Sequence, residues 1–253
     1  MHLGFIVFGE ELARTGLGAV IGGLHGKGAI RGSVPVLVAA GSAEEVLRAR
    51  SGVGRAPGQD VVELLSNMRR VPIGAVVTLY DVINTLTGLG GELVLPILDL
   101  TPLRLEPADF QPADGTGQQG QQLMEVVVGR TALFKRDRWV HELDVYHTQI
   151  LILLRGDVTQ GAKSIIHPTA PGGAMALRFL RFRAEFSPQV PADNSVSLQL
   201  RININASLTE TRVGYDLRQH GPQPILAVLE EHVTAEAIEL LSLLQRLGVD
   251  SLG

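Results

Sequence analysis

Ser195-Val-Ser-Leu-Gln-Leu-Arg-Ile-Asn-Ile-Asn-Ala-Ser-Leu-Thr-Glu210 alternates without a break. Val196, Leu198, Leu200, Ile202, Ile204, Ala206 and Leu208 share one parity, and Ser197, Gln199, Arg201, Asn203, Asn205, Ser207 and Thr209 the other. Successive side chains of a strand point to opposite faces, so the run reads as a long antiparallel strand, apolar on one face and wetted on the other. A period of 3.6 would scatter the same residues around a helix. The apolar run spans about 40 Å at roughly 3.3 Å per residue. Residues 224–247 offer a helix of about 36 Å at 1.5 Å per residue. That helix carries Leu226, Leu229, Val233, Ala237, Leu240, Leu241, Leu244 and Leu247 along one side. The even-numbered strand residues are expected to lie buried beneath it, in a fixed register, because a one-residue slip would turn them all to water.

Working outward, residues 174–186 form the neighbouring strand. Their apolar parity is odd through Met175, Leu177 and Phe179 and even through Leu180, Phe182, Ala184 and Phe186, a phase change that implies a β-bulge at Phe179 and Leu180. Residues 126–134 and 138–143 read as a hairpin with the tip Lys135-Arg136-Asp137, and Asp144 can cap the helix that follows. Residues 101–122 shift to proline, glycine and glutamine with an Asp114-Gly115 turn, which reads as a linker or a surface excursion. In the amino-terminal half, residues 3–8 and 33–40 read as strands. Residues 10–24 read as one helix, and residues 43–50 as another opened by a Ser42/Glu45 capping box. Two further helices cover 60–70 and 75–89. A strand at 93–100 is assigned to an edge or a bulge because of Pro96. The fold class is therefore α+β with two domains, 1–121 and 122–253. Each is a β-sheet with helices packed on it, the second an antiparallel sheet with a long helix.

Hydrophobic residues make up 45% of the 253-residue chain and charged residues only 19%, enough to build two cores. A net charge of −4 with no Lys/Arg cluster argues against nucleic acid and against an anionic membrane surface. The absence of cysteine excludes disulfides, thiolate zinc sites, cysteine nucleophiles and an anchor-bearing cysteine. The opening Met1-His-Leu-Gly-Phe-Ile-Val-Phe-Gly-Glu10 lacks a basic region and reads as no signal peptide.

The hairpin residues Gly129-Arg-Thr-Ala132-Leu-Phe134-Lys-Arg-Asp137-Arg-Trp139-Val140-His-Glu-Leu143, followed by Leu151-Ile-Leu-Leu154-Arg155-Gly156, resemble the Ger(x)C spore-germination family, the GerAC-like C subunits of germinant receptors. The family runs Gly-x-Ala-x-Phe-x-x-Asp, an aliphatic pair and a leucine into a helix that ends Leu-Arg-Gly. The likeness extends to Ile6-Val-Phe-Gly9-Glu10-Glu-Leu12-Ala13-Arg14-Thr-Gly16-Leu17, to Val36-Leu-Val-Ala39-Ala-Gly41-Ser, to Leu95-Pro96, and to the long strand and helix. Where the family has Glu-Thr-x-Gly this chain reads His147-Thr148-Gln149-Ile150, so no role of that glutamate and glycine carries over. Family members also begin with a lipidated cysteine and continue past the Asp-x-x-Gly end into a further helix and strand; both ends are expected to be missing here.

The resemblance implies a non-catalytic receptor subunit that works by contact. It implies integral-membrane A and B subunits as partners, and a place at the outer face of the spore inner membrane as a lipoprotein. A soluble small-ligand-binding protein is the alternative and an α/β enzyme stands third. No cofactor, metal or catalytic residue is assigned. Gly16, Gly18 and Gly22 lie too far beyond the first strand for a dinucleotide loop. His141, Glu142 and His147 lack the i, i+4 spacing of a zinc helix. The Asn203 and Asn205 row is read as a solvated face. Glu10, Trp139 and Glu210 are singled out as candidate interdomain or partner contacts, and sheet edges left bare are expected to promote self-association.

Overall fold

The computed structural model describes residues 3–26, 30–49, 58–88, 92–102, 124–170, 172–189, 197–211 and 214–252. Two sheets carry the fold. The first runs in chain order through β1 (Ile6–Phe8), β2 (Val36–Ala39), β3 (Val94–Pro102), β4 (Met124–Lys135) and β5 (Arg138–Leu143). β1, β2 and β3 are parallel, whereas β3–β4 and β4–β5 are antiparallel. All four residues of β2 are buried because both faces of the parallel part are covered. Leu37 and Ala39 pack with α3 (Ala43–Arg48) and α4 (Gln59–Met68). Val36 and Val38 belong to the larger core with α1 (Glu10–Thr15), α2 (Gly18–Gly26) and α5 (Leu79–Thr87).

The second sheet is antiparallel, β6 (Gly161–Ile166), β7 (Ala174–Gln189) and β8 (Ser197–Thr211), with the four-residue helix α7 (Leu217–His220) and then α8 (Gln223–Leu247) after it. Between the sheets runs α6 (Val145–Arg155), whose residues from Ile150 to Leu154 are all buried. A helix apolar on every side has to be enclosed on every side, and α6 makes the two sheets share one continuous core. The first sheet draws strands from both sides of residue 121, since β3 pairs with β4 from Val94↔Leu133 to Pro102↔Met124.

The β4–β5 hairpin, the Asp144 cap and the β7 bulge match the sequence reading. Asp144 accepts from the His147 N–H at 2.8 Å. The β7–β8 register slips between Phe179 and Arg181 as expected, but Leu180, read with the apolar parity, is the unpaired residue of the bulge and stands half exposed on the outer face.

Other readings are corrected. The single helix expected over residues 10–24 is broken into α1 and α2 at Gly16, whose φ is 137°. Ser42 precedes α3 but makes no side-chain cap; Thr78 and Asp81 form the capping box instead, at α5. Of the edge or bulge expected for Pro96, the edge is not found, since β3 is a central strand, while a bulge lies just beyond it. The proline is tolerated there because β2 pairs only from Ile97 onward, and the bulge in the β3–β4 ladder falls at Ile97 and Leu98.

β8 is the expected long antiparallel strand, yet Leu200 to Leu208 are only half-buried at their even positions and Leu198 is 59% exposed. The reason lies in α8, which leans toward β6 and α6. Lys163 of β6, itself buried, donates to both oxygens of Glu236 at 2.6 and 2.5 Å. α8 therefore buries Ile225, Leu229, Val233, Ala237, Leu240 and Leu244, and leaves Leu226 exposed. Val196 and residues 103–123 lie outside the described residues.

Candidate functional site

The tip of the β4–β5 hairpin is where distant parts of the chain meet. Arg136 adopts φ 58° to turn the corner, and Asp137 then faces the break between α1 and α2. The Asp137 backbone oxygen accepts from the Leu17 N–H at 2.9 Å, and its carboxylate accepts from the Gly18 N–H at 3.1 Å. That carboxylate sits at the positive end of α2. A Cβ on Gly16 would lie 2.7 Å from Asp137 Oδ2, and one on Gly18 would lie 3.0 Å from it. These glycines admit a carboxylate of the same chain at the amino terminus of α2, where the backbone N–H groups favour an anion.

On the other side of the tip, Lys135 Nζ donates to the Leu247 carbonyl at 3.2 Å and the Arg136 N–H to Glu92 Oε1 at 3.4 Å. Glu92 Oε2 accepts from the Asp250 N–H at 3.1 Å, and Arg155 Nη1 donates to the Ser251 carbonyl at 2.6 Å. The motif residues Asp137 and Arg155 thus tie α2 and the segment after α8 to the hairpin and to α6.

A second cluster lies at the carboxyl ends of β1 and β2. Glu10 accepts from Arg14 Nε at 2.8 Å and from the Gly41 N–H at 3.0 Å. The Arg14 hydrogen bond holds the Glu10 carboxyl below the usual carboxylate range; burial opposes it, while the Gly41 N–H and the charges of Arg14 and Arg130 add to it. Arg14 lies 4.5 Å from the Trp139 ring centroid, a cation–π stack. Trp139 is buried and donates to the His141 carbonyl at 2.8 Å. Beside them Arg130 makes a bidentate fork to Asp99, at 2.8 and 2.5 Å, and reaches Glu142 at 2.8 Å. The hydrogen bond to Asp99, more than the neighbouring charges, raises the Arg130 pKa.

Two of the three singled-out residues, Glu10 and Trp139, therefore meet through Arg14. Glu210 does not join them: it pairs with Ala176 in the second sheet, and its side chain is outside the described residues. Arg14 was detectable as an i, i+4 partner of Glu10. Arg130, Asp99 and Asp137 were not, because only the fold brings them to their partners.

His147 lies between Asp144, at 3.0 Å from Nδ1, and Glu239, at 3.7 Å from Nε2. Among the described residues no group of three His, Asp or Glu side chains is placed to hold a metal ion. The exposed face of the second sheet gathers Arg178, Arg181, Arg183 and Arg201 around Asn203 and Asn205, with Glu185 opposite Arg201 and 3.9 Å from Arg183. On the opposite face, β8 and α8 enclose an open groove of about 730 Å³.

The family described as "Spore germination protein N-terminal domain" matches residues 1–100, and "Spore germination B3/ GerAC like, C-terminal" matches residues 129–253. Among solved structures, the "Crystal Structure of the GerBC protein" superposes with a TM-score of 0.66 at 15% identity, covering 99% of this chain and 67% of that one. A search of the curated proteins finds no match.

Proposed function

We propose a role for this chain from the premise that it belongs to the GerAC-like family of spore germination proteins, whose two models match residues 1–100 and 129–253. It is a C-subunit type of germinant-receptor protein. Its own chemistry is contact rather than turnover, and its partners are the integral-membrane A and B subunits at the outer face of the spore inner membrane. Among the described residues no helix is long and apolar enough to cross a membrane.

One observation carries the reading. Asp137 and Arg155, the charged residues the family motifs supply, are bonded to Leu17, Gly18 and Ser251 of the same chain. They build a rigid body that presents surfaces; they do not open a reactive centre. Glu10 and Trp139 belong to the same framework, through Arg14. We also propose that residues 1–121 and 122–253 are two sequence modules locked together by β3–β4 pairing and by α6.

The test is genetic. Spores lacking this chain should lose the response to one class of nutrient while still germinating with a nutrient-independent trigger. Restoring the chain should restore the response. Unchanged nutrient germination in the deletion strain would overturn the assignment.

A further inference from the structure

Four arginines stand together on the exposed face of the second sheet, Arg178, Arg181 and Arg183 on β7 and Arg201 on β8. In the β7–β8 ladder the first three lie opposite the neutral Ser207, Asn205 and Asn203, and Arg201 lies opposite Glu185. Glu185 is 3.9 Å from Arg183, with the two side chains 50% and 70% exposed. Among the described residues no carboxylate pairs with Arg178, Arg181 or Arg201. No run of the sequence shows this cluster, because the bulge assembles it: without the extra residue Arg178 and Arg181 would stand on opposite faces of the sheet. The same bulge turns Leu180 outward, half exposed between them.

We infer that this face docks on an anionic phospholipid surface, its guanidinium groups meeting lipid phosphates and Leu180 reaching between the headgroups; the membrane is the one that the proposed receptor role supplies. Three features select a bilayer over a single small anion or an acidic protein segment. The guanidinium groups do not converge on one point. They are spread over about 20 Å of two strands about 5 Å apart, with Arg181 and Arg183 about 7 Å from one another along β7. Such an array suits many phosphates rather than one. All four cations are arginine, whose planar fork matches phosphate oxygens in pairs. Leu180 would stand against charge in a carboxylate-rich partner, whereas at a membrane it enters the acyl boundary beneath the phosphates, as the apolar residues of interfacial segments do.

The net charge of −4 does not oppose this contact. At physiological salt a charge is screened within about 8 Å, less than the depth of a sheet with a helix behind it. A bilayer therefore senses four cations and Glu185, and not the carboxylates of α8, which borders the opposite face. A strand added beside the sheet would widen the arginine face. An apolar helix laid across it would bury unpaired guanidinium groups, which is costly.

Flotation of the full chain with lipid vesicles is the test. The chain should float with vesicles of phosphatidylglycerol and phosphatidylcholine in equal parts, should not float with phosphatidylcholine alone, and should be released as salt rises. Each arginine near an anionic surface contributes roughly five-fold in affinity, so Arg181→Gln with Arg183→Gln should weaken binding about 25-fold. Arg69→Gln with Arg70→Gln, the same change of net charge at exposed positions just after α4, should leave it unchanged. Thermal melting equal to the parent's checks the fold of both double variants. Inorganic phosphate, at the phosphate concentration of the lipid, should not displace the chain. Failure to float with the mixed vesicles, equal loss in the two double variants, release by inorganic phosphate, or tighter binding to soluble polyglutamate than to the vesicles would each overturn the inference. None of these results bears on the receptor assignment, which the deletion strain tests separately.

Discussion

Replacing Gly16 with alanine tests the idea that the hairpin tip and the α1–α2 break were built for one another. Gly16 has φ 137° and ψ 134°, a region almost confined to glycine, where a side chain costs about 1–3 kcal/mol. The new Cβ would also stand 2.7 Å from Asp137 Oδ2. The carboxylate has to withdraw, weakening its bond to the Gly18 N–H, and a hydrogen bond to a charged group contributes about 1.5–3 kcal/mol. Partial exposure of this contact puts the loss at the low end. Alanine restricts the unfolded chain and returns about 0.4–1 kcal/mol. The net expectation is a destabilisation of about 2–3 kcal/mol. Urea unfolding should register it as a midpoint lower by about 1 M, for a slope of about 2–3 kcal/mol/M. Gly22→Ala is the control, because nothing lies within 4 Å of a Cβ there and the residue is helical. It should leave the midpoint unchanged or raise it by up to about 1 kcal/mol of added stability. A Gly16→Ala protein as stable as the parent, or a Gly22→Ala protein equally weakened, would refute the reasoning.

Other perturbations separate the remaining parts of the account. Because the Glu10 carboxyl is depressed in the folded chain, its stabilisation is present above the unfolded value of about 4.3 and is lost as pH falls through the folded value. Melting temperature against pH should therefore show Glu10→Gln below the parent at neutral pH, with the two curves converging in acid. Arg130→Ala leaves Asp99 without its fork and should cost about 1–3 kcal/mol in denaturant unfolding, and Arg130→Lys should recover only part of it, lacking the bidentate geometry. Leu240→Ala removes a side chain with no exposure and should cost about 2–5 kcal/mol. Leu198→Gln, at the open groove, should change stability by less than about 0.5 kcal/mol, and parity of the two would mean that the helix covers the strand evenly.

What the sequence made legible was local in origin. The β8 alternation and the one-residue phase change in β7 survive because a period of two tolerates no slippage on a half-buried sheet, although Leu180, read with the apolar face, is the residue the bulge turns outward. Asp144 was legible because a cap acts within three residues. The break at Gly16 was not, since the group that demands it, Asp137, arrives from a hairpin 119 residues beyond Gly18. Pro96 signalled the neighbouring bulge but not the central place of its strand, because that depends on where β2 begins to pair, which no local pattern carries. The lean of α8 was hidden for a similar reason: the Lys163–Glu236 pair that holds it to β6 joins residues 73 apart, and without it an amphipathic helix looks able to cover the whole strand.

The central claim, a receptor subunit acting through contact, is tested most directly by affinity purification of the tagged chain from detergent-solubilised spore membranes. The integral-membrane A and B subunits should co-purify at comparable abundance. Recovery of the tagged chain in quantity with neither membrane subunit, from spores that contain both, would contradict the account.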